Sequence, residues 1–120
     1  MSNQTIGQRG EILAASHLRK LGYHILETNR RTPYGEVDII ALEGSALCFV
    51  EVKTRSSLNF GHPFESVDER KQKHLIRAAQ HYLQEAQDRD FKSLRFDVLA
   101  LVGAQEGEME YELLRGAFEA

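Results

Sequence analysis

The amino-acid sequence predicts an α/β fold in which a central mixed β-sheet is flanked by helices, in the order α-β-β-β-α-β with a further C-terminal edge strand. Three observations predict it. Two segments repeat apolar residues at helical spacing. Short runs rich in Val, Ile, Leu and Phe lie between and after them. The second helical segment separates the third strand from the fourth and so permits a parallel crossover, which makes the sheet mixed. A chain of 120 residues, 42% hydrophobic and 28% charged, suits one soluble domain spanning residues 1–120.

The first helix should run from about Gln4 to Leu21, with Ile6, Leu13, Ala14, Leu18 and Leu21 as its apolar stripe and Gly22 closing it. A strand follows through Tyr23 to Arg31, then a turn at Thr32-Pro-Tyr-Gly35. Glu36 to Glu43 and Ala46 to Thr54 are nearly continuous in apolar residues, as central strands are. Ser66-Val-Asp-Glu69 has the capping-box pattern, and Leu75, Ala78, Ala79, Tyr82, Leu83 and Ala86 form one face of the helix after it. Leu94 to Val102 is a fourth strand. Met109, Tyr111 and Leu113 alternate with Glu108, Glu110 and Glu112, the pattern of an edge strand with one wet face.

Composition narrows the function classes. A single cysteine, Cys48, excludes an internal disulfide and fits a reducing compartment. The polar opening carries no signal-peptide pattern, and the apolar runs are too short for a membrane span, so the expected location is cytoplasmic. A net charge of −3 argues against nonspecific, charge-driven nucleic-acid binding, although basic residues gather at Arg30-Arg31, Lys53 to Arg55 and Arg70 to Arg77.

The chemistry lies in the register of the second and third strands. Gly44-Ser45 fits a two-residue II′ hairpin, with Gly at the first central position. That turn pairs Glu43 with Ala46. It then sets Asp38 opposite Glu51 and Glu36 opposite Lys53, with Glu51, Lys53 and Arg55 on one face of their strand. Opposed Cβ atoms lie roughly 5 Å apart, and like charges so placed cost stability. Unpaired charges near a core cost more. A hard divalent cation offsets both costs: Mg²⁺ takes oxygen ligands and commonly uses one or two carboxylates with phosphate. Lys53, one side-chain step from Glu51, can hold or deprotonate an attacking oxygen and can neutralise charge on a phosphorane-like transition state. An isolated Glu-x-Lys string is common, and Glu36 with Lys53 can be read as a plain cross-strand ion pair. The combination of Asp38, twelve intervening residues and Glu51-x-Lys53 on apolar strands is a stronger pattern.

Gly35-Glu-Val-Asp-Ile-Ile-Ala41, followed by Phe49-Val-Glu-Val-Lys-Thr-Arg55, resembles the signature of the YraN-like family of small, largely uncharacterised bacterial proteins. Gly10-Glu11 and Ala78-Ala79-x-x-Tyr82-Leu83 match the same family, so the resemblance spans nearly the whole chain. That family is similar to the PD-(D/E)xK restriction-endonuclease-like superfamily, in particular to archaeal Holliday-junction resolvases. The resemblance implies a Mg²⁺-dependent phosphodiesterase fold, with Mn²⁺ as a substitute ion and DNA as the partner. It implies metal binding by Asp38 and Glu51, a catalytic lysine at Lys53 and an additional acidic residue at Glu11. Val37 stands where the superfamily's name expects proline, a position that resolvase-like members often leave without it.

On the helical wheel Glu11 sits beside the apolar stripe, so from the residues alone it reads as a solvated helix glutamate. Glu36 is a partner for Lys53 or a supporting carboxylate. Arg55 continues the Glu51-Lys53 face and is either a phosphate contact or a solvated strand end. Lys71 and Gln72, in the first turn of the second helix, are candidates to reach the site. Arg70, Lys73 and Arg77 project to another face, the usual place for solvated side chains. The five histidines show no zinc spacing, and Cys48 falls on the face opposite Glu51 as a small core residue. The long connection from Arg55 to Glu65 should border the site, with Phe60 as a loop anchor.

The leading expectation is a Mg²⁺-dependent endonuclease acting on DNA, including branched or structured DNA. A resolvase would act as a symmetric homodimer, since a four-way junction needs two paired cuts. The competing expectations are a noncatalytic nucleic-acid-binding or protein-interaction module that retains the fold, and a purely structural charge network.

Overall fold

Tight turns and one long crossover arrange the chain as a five-stranded sheet between two helices. The computed structural model describes residues 6–55, 67–85, 90–103 and 109–119, with residues 6–8 as backbone only. Its elements are α1 (Ile6–Lys20), β1 (His24–Thr32), β2 (Gly35–Glu43), β3 (Ala46–Arg55), α2 (Glu69–Glu85), β4 (Ser93–Val102) and β5 (Glu110–Phe118). The strands lie in the order β1-β2-β3-β4-β5. Only β3 and β4 run parallel; the other neighbours are antiparallel. The mixed sheet and the C-terminal edge strand are as the sequence predicts. Among the described residues no helix is long and apolar enough to cross a membrane.

Each helix covers one face of the sheet. Ala14, Ala15 and Leu18 of α1 pack with Ile39, Ala41, Cys48, Val50 and Leu99. Leu75, Ala78, Ala79 and Tyr82 of α2 pack with Ile40, Leu47, Phe49, Phe96 and Val98. Cys48 is fully buried on the α1 face, opposite the face that carries Glu51.

The first helix is rotated from the expected stripe. Leu13 and Leu21 are 39% and 43% exposed, while Gly10, Ala14, Ala15 and Leu18 face inward. The reason is distance. A Cβ added at Gly10 would lie 2.5 Å from the Thr54 hydroxyl oxygen of β3, so small residues let α1 settle closer to the sheet than a leucine stripe allows. The Ile6 side chain and the expected start at Gln4 lie outside the described residues.

The hairpin is as predicted. Gly44 takes a φ of 59°, and among the described residues Asn29 is the one non-glycine at positive φ, so Ser45 completes a II′ turn. Pairs run from Glu43↔Ala46 to Ile39↔Val50. There the ladder stops, one pair short of Asp38 and Glu51. The expected Glu36–Lys53 pairing does not form: Glu36 pairs with Arg31 on β1, with Nε 3.8 Å from Oε2.

The start of α2 is set by Asp68, whose Oδ1 accepts from the Lys71 backbone N–H at 2.9 Å. This N-cap stands two residues later than the expected cap at Ser66. Ser66 itself, Ala86 and the connection carrying Phe60 lie outside the described residues.

Candidate metal centre

Asp38 breaks the β2 ladder. Ile40 and Val37 pack on the α2 face, whereas Ile39 packs on the α1 face, so strict alternation fails between residues 37 and 39. Across β1, Asn29 stands between the pairs Thr28↔Ile39 and Arg30↔Val37 with a φ of 54°. The Asp38 side chain turns toward β3, where Oδ2 accepts from the Val52 N–H at 2.8 Å. A side-chain carboxylate thus takes the place of a ladder carbonyl, at the point where β2 and β3 separate.

That opening lets acids converge from three elements. Glu11 of α1 and Glu36 and Asp38 of β2 each offer a carboxylate oxygen, all within 4.8 Å of one another. With α1 rotated, Glu11 precedes Ala14, Ala15 and Leu18 by three, four and seven residues, so it lies on the inward stripe and not beside it. Glu51 lies on β3 at 5% exposure. Asp38 and Glu51 line the same cavity of about 510 Å³, beside α2, together with Tyr34, Glu36, Arg70, Lys71 and His74. The side chains of residues 38 and 51 therefore meet in one site, as the register argument requires.

The electrostatics are unequal. Burial, then the charge of Glu51, pushes the Asp38 carboxyl up to about 7, against a partial offset from the Val52 N–H. Burial also raises the Glu11 carboxyl, with Glu36 and Glu51 adding to it and a hydrogen bond to Asn29 opposing. Glu51 is ion-paired: its Oε1 lies 2.8 Å from Lys71 Nζ and 3.5 Å from Lys53 Nζ. The two lysines diverge in consequence. Burial and the adjacent Lys71 pull the Lys53 ammonium below its ordinary range. For Lys71, burial is outweighed by its bonds to Glu51 and Lys53, and its ammonium is held above that range.

The structure thus brings Glu11, Glu36, Asp38, Glu51, Lys53 and Lys71 together. It does not bring in two other candidates. Gln72 donates from Nε2 to the carbonyl of Val67, just ahead of its own helix, at 3.0 Å. Arg55 ends β3 half-buried and is not among the described residues lining the cavity. Tyr34, Arg70 and His74, which do line it, were missed as site residues. Proximity of Tyr34 to Gly35 was the one signal that could have marked it.

A second polar cluster, also missed, lies on the α1 face toward the hairpin. Asp97 is 1% exposed and accepts from Tyr23 Oη at 2.8 Å, from Arg95 Nε at 2.8 Å and from the Gly116 N–H at 3.0 Å. Arg95 donates onward to Glu43 at 2.7 Å, and Arg115 grips both Glu43 oxygens at 2.7–2.8 Å. The Arg115 bonds, then those of Arg95 against some burial cost, hold the Glu43 carboxyl down at about 2. Every charge here has a partner, so this cluster binds the sheet together.

The uncharacterised protein family UPF0102 matches residues 10–101 of the chain. Among its relatives, a UPF0102 protein of Chlorobaculum parvum is 48% identical over 120 residues, covering 96% of this chain and 92% of the relative. One of Moorella thermoacetica is 46% identical over 98% of each chain, and one of Dictyoglomus thermophilum is 42% identical over 98% of this chain and all of its own.

Proposed function

The chain belongs to the uncharacterised protein family UPF0102, and from the geometry of its acid cluster we propose that it is a Mg²⁺-dependent endonuclease hydrolysing phosphodiester bonds in DNA, branched or structured DNA included. The carrying observation is the convergence of Glu11, Glu36 and Asp38 within 4.8 Å beside a glutamate that holds two lysines. The motif resemblance supports the same reading, and with it a restriction-endonuclease-like arrangement of the sheet and helices.

The donor set fits the ion. It is all carboxylate oxygen, which suits Mg²⁺ or Mn²⁺ and not a thiolate- or imidazole-seeking metal. Burial first, and the neighbouring carboxylates after it, raise Asp38 and Glu11, and a divalent cation would offset both costs. Asp38, Glu11 and Glu51 would hold the ion, with Glu36 as a further oxygen donor. Bound there, Mg²⁺ lowers the pKa of water and stabilises phosphate oxygens. Lys53, whose ammonium gives up its proton more readily than an ordinary lysine's, is placed to accept a proton at Nζ from the attacking water. Lys71 stays charged and meets the negative charge that grows on the phosphate. On a four-way junction the active form is a symmetric dimer, since two strands must be cut.

One observation favours a second reading, a noncatalytic binding module on the same frame: Glu51 is already ion-paired with Lys71 and Lys53. Labelled linear, flapped, single-stranded and four-way DNA incubated with Mn²⁺ separates the two. An endonuclease nicks at least one of them, and Lys53→Ala lowers the rate by roughly a hundredfold or more with the circular dichroism unchanged. Absence of cleavage on all four substrates, or full activity in Lys53→Ala, overturns the proposal.

A further inference from the structure

The acid cavity does not stand alone. It adjoins a hollow of about 480 Å³ on the exposed side of α2, sharing Asp68, Arg70 and His74 with it and carrying Glu69 at the helix start. That hollow shares Arg77 with a third, of about 290 Å³, which returns to Tyr34 at the rim of the acid cavity. The three hollows make one track that leaves the acids and follows α2.

Its lining has a distinct chemistry. Arg70, Lys73 and Arg77 are exposed and stand at i, i+3 and i+7, on one side of the helix. Among the described residues none of the three has an ion-pair or hydrogen-bond partner. Lys71 and Arg30 nearby are both engaged by glutamates. From Arg70 to Arg77 the helix rises about 10 Å, so the three cations lie in a row along the groove. In a chain of net charge −3, this strip is a local feature and not the overflow of a basic protein.

Opposite the strip stands Tyr34, 46% exposed. The turn beneath it is pinned, because Thr32 Oγ1 donates to the Gly35 carbonyl at 2.7 Å and accepts from the Tyr34 N–H at 3.1 Å. Its ring packs edge-to-face with His81, at 6.4 Å between centroids and 68° between planes. A fixed, exposed ring beside a cationic strip suits strands whose bases are unpaired, since such a base has a free face for stacking and a base within a duplex does not.

We propose that this track holds a single-stranded nucleic-acid segment leading into the acid cavity, with Arg70, Lys73 and Arg77 on its phosphates and Tyr34 under an unpaired base. The inference rests on the phosphodiester reading of the acids for its direction. Binding measured in EDTA tests it apart from cleavage.

The experiment is fluorescence anisotropy with a labelled oligothymidylate and with the same strand annealed to its complement. Replacing Arg70, Lys73 and Arg77 together by Gln should weaken single-strand binding at least about tenfold and flatten the slope of log K against log salt by about 2. Replacing Arg9, Arg19 and Lys20, exposed on α1 across the sheet, should leave binding within about twofold of the parent. Tyr34→Ala should cost the single strand about fivefold or more and spare the duplex, while Tyr34→Phe binds as the parent does. Equal losses from the two triple variants, no loss from the α2 triple, or a Tyr34→Ala loss shared equally by the duplex overturns the track. Binding on the track with no cleavage under Mn²⁺ leaves it standing and removes the endonuclease reading. Cleavage by a protein whose α2 triple binds normally does the reverse.

Discussion

A buried aspartate that accepts a backbone amide within a sheet exchanges a ladder bond for a charge, and this chain does so twice with opposite electrostatic results. Asp97 sits at the register shift between Phe96 and Val98, takes the Gly116 N–H and is matched by Arg95 and Tyr23. Asp38 takes the Val52 N–H but faces Glu51 and Glu11, with Lys71 as a lesser offset. A carboxyl raised to about 7 from the ordinary 3.8 contributes its stability fully below the unfolded value and loses it as pH rises through the folded one. In EDTA, the protein should therefore lose about 2.7 kcal/mol between about pH 5 and about pH 8.5, somewhat over half of what a shift of this size gives at ~1.4 kcal/mol per unit. Urea unfolding midpoints at the two pH values measure it. Asp38→Asn should flatten most of that difference. A parent protein that grows more stable over the same range would mean that Asp38 is not raised.

At the scale of elements, α1 shows how close packing places a functional residue. Gly10 lets the helix approach Thr54, and that approach turns Glu11 toward Asp38. Alanine in place of Gly10 favours the isolated helix by about 1 kcal/mol, yet its Cβ meets the Thr54 hydroxyl. The expected net result is a loss of about 1–3 kcal/mol, of which Thr54→Ala in the same chain returns at least half. Thermal melts of the two single variants and the double form the cycle. A stable Gly10→Ala protein would show that α1 is free to move outward. The same helix marks what the sequence did and did not disclose. The hairpin register was legible because Gly44-Ser45 sets it locally, and the crossover was legible because a helix stands between β3 and β4. The rotation of α1 was not, because leucine spacing favours Leu13 and Leu21 while small residues decide the distance to the sheet. The cap of α2 was ambiguous because Ser66 and Asp68 are both cap residues two positions apart. The ladder break depends on the contact between Asp38 and Val52, fourteen residues apart, and the Tyr23–Asp97 bond spans 74. No local pattern encodes either contact. Asp38, Glu51 and Lys53 could be read from one hairpin, whereas the convergence of Glu11, Glu36 and Lys71 required the tertiary fold.

For the whole molecule, the acid site joins elements that otherwise touch only through the sheet. Glu11 comes from α1, Asp38 and Glu36 from β2, Glu51 and Lys53 from β3, and Lys71 from α2. An ion held by these acids would tie α1 to β2 and β3 and bind the folded chain alone. Such binding adds about 2.7 kcal/mol at a hundredfold excess over Kd, which for a domain of this size is roughly ten degrees in Tm. The gain must depend on pH. Asp38 and Glu11 carry raised pKa values, and a carboxyl must lose its proton before it binds a cation. Differential scanning fluorimetry with Mn²⁺ should thus show a larger upward shift at about pH 8.5 than at about pH 6. Asp38→Asn should abolish the shift. Asp97→Asn should lower the starting Tm and keep the shift, since Asp97 holds the frame and not the ion. Lys53→Ala should also keep it, which separates ion binding from proton transfer. A shift equal at both pH values, or one that survives Asp38→Asn, would place the ion elsewhere and leave the acid cluster without its proposed occupant.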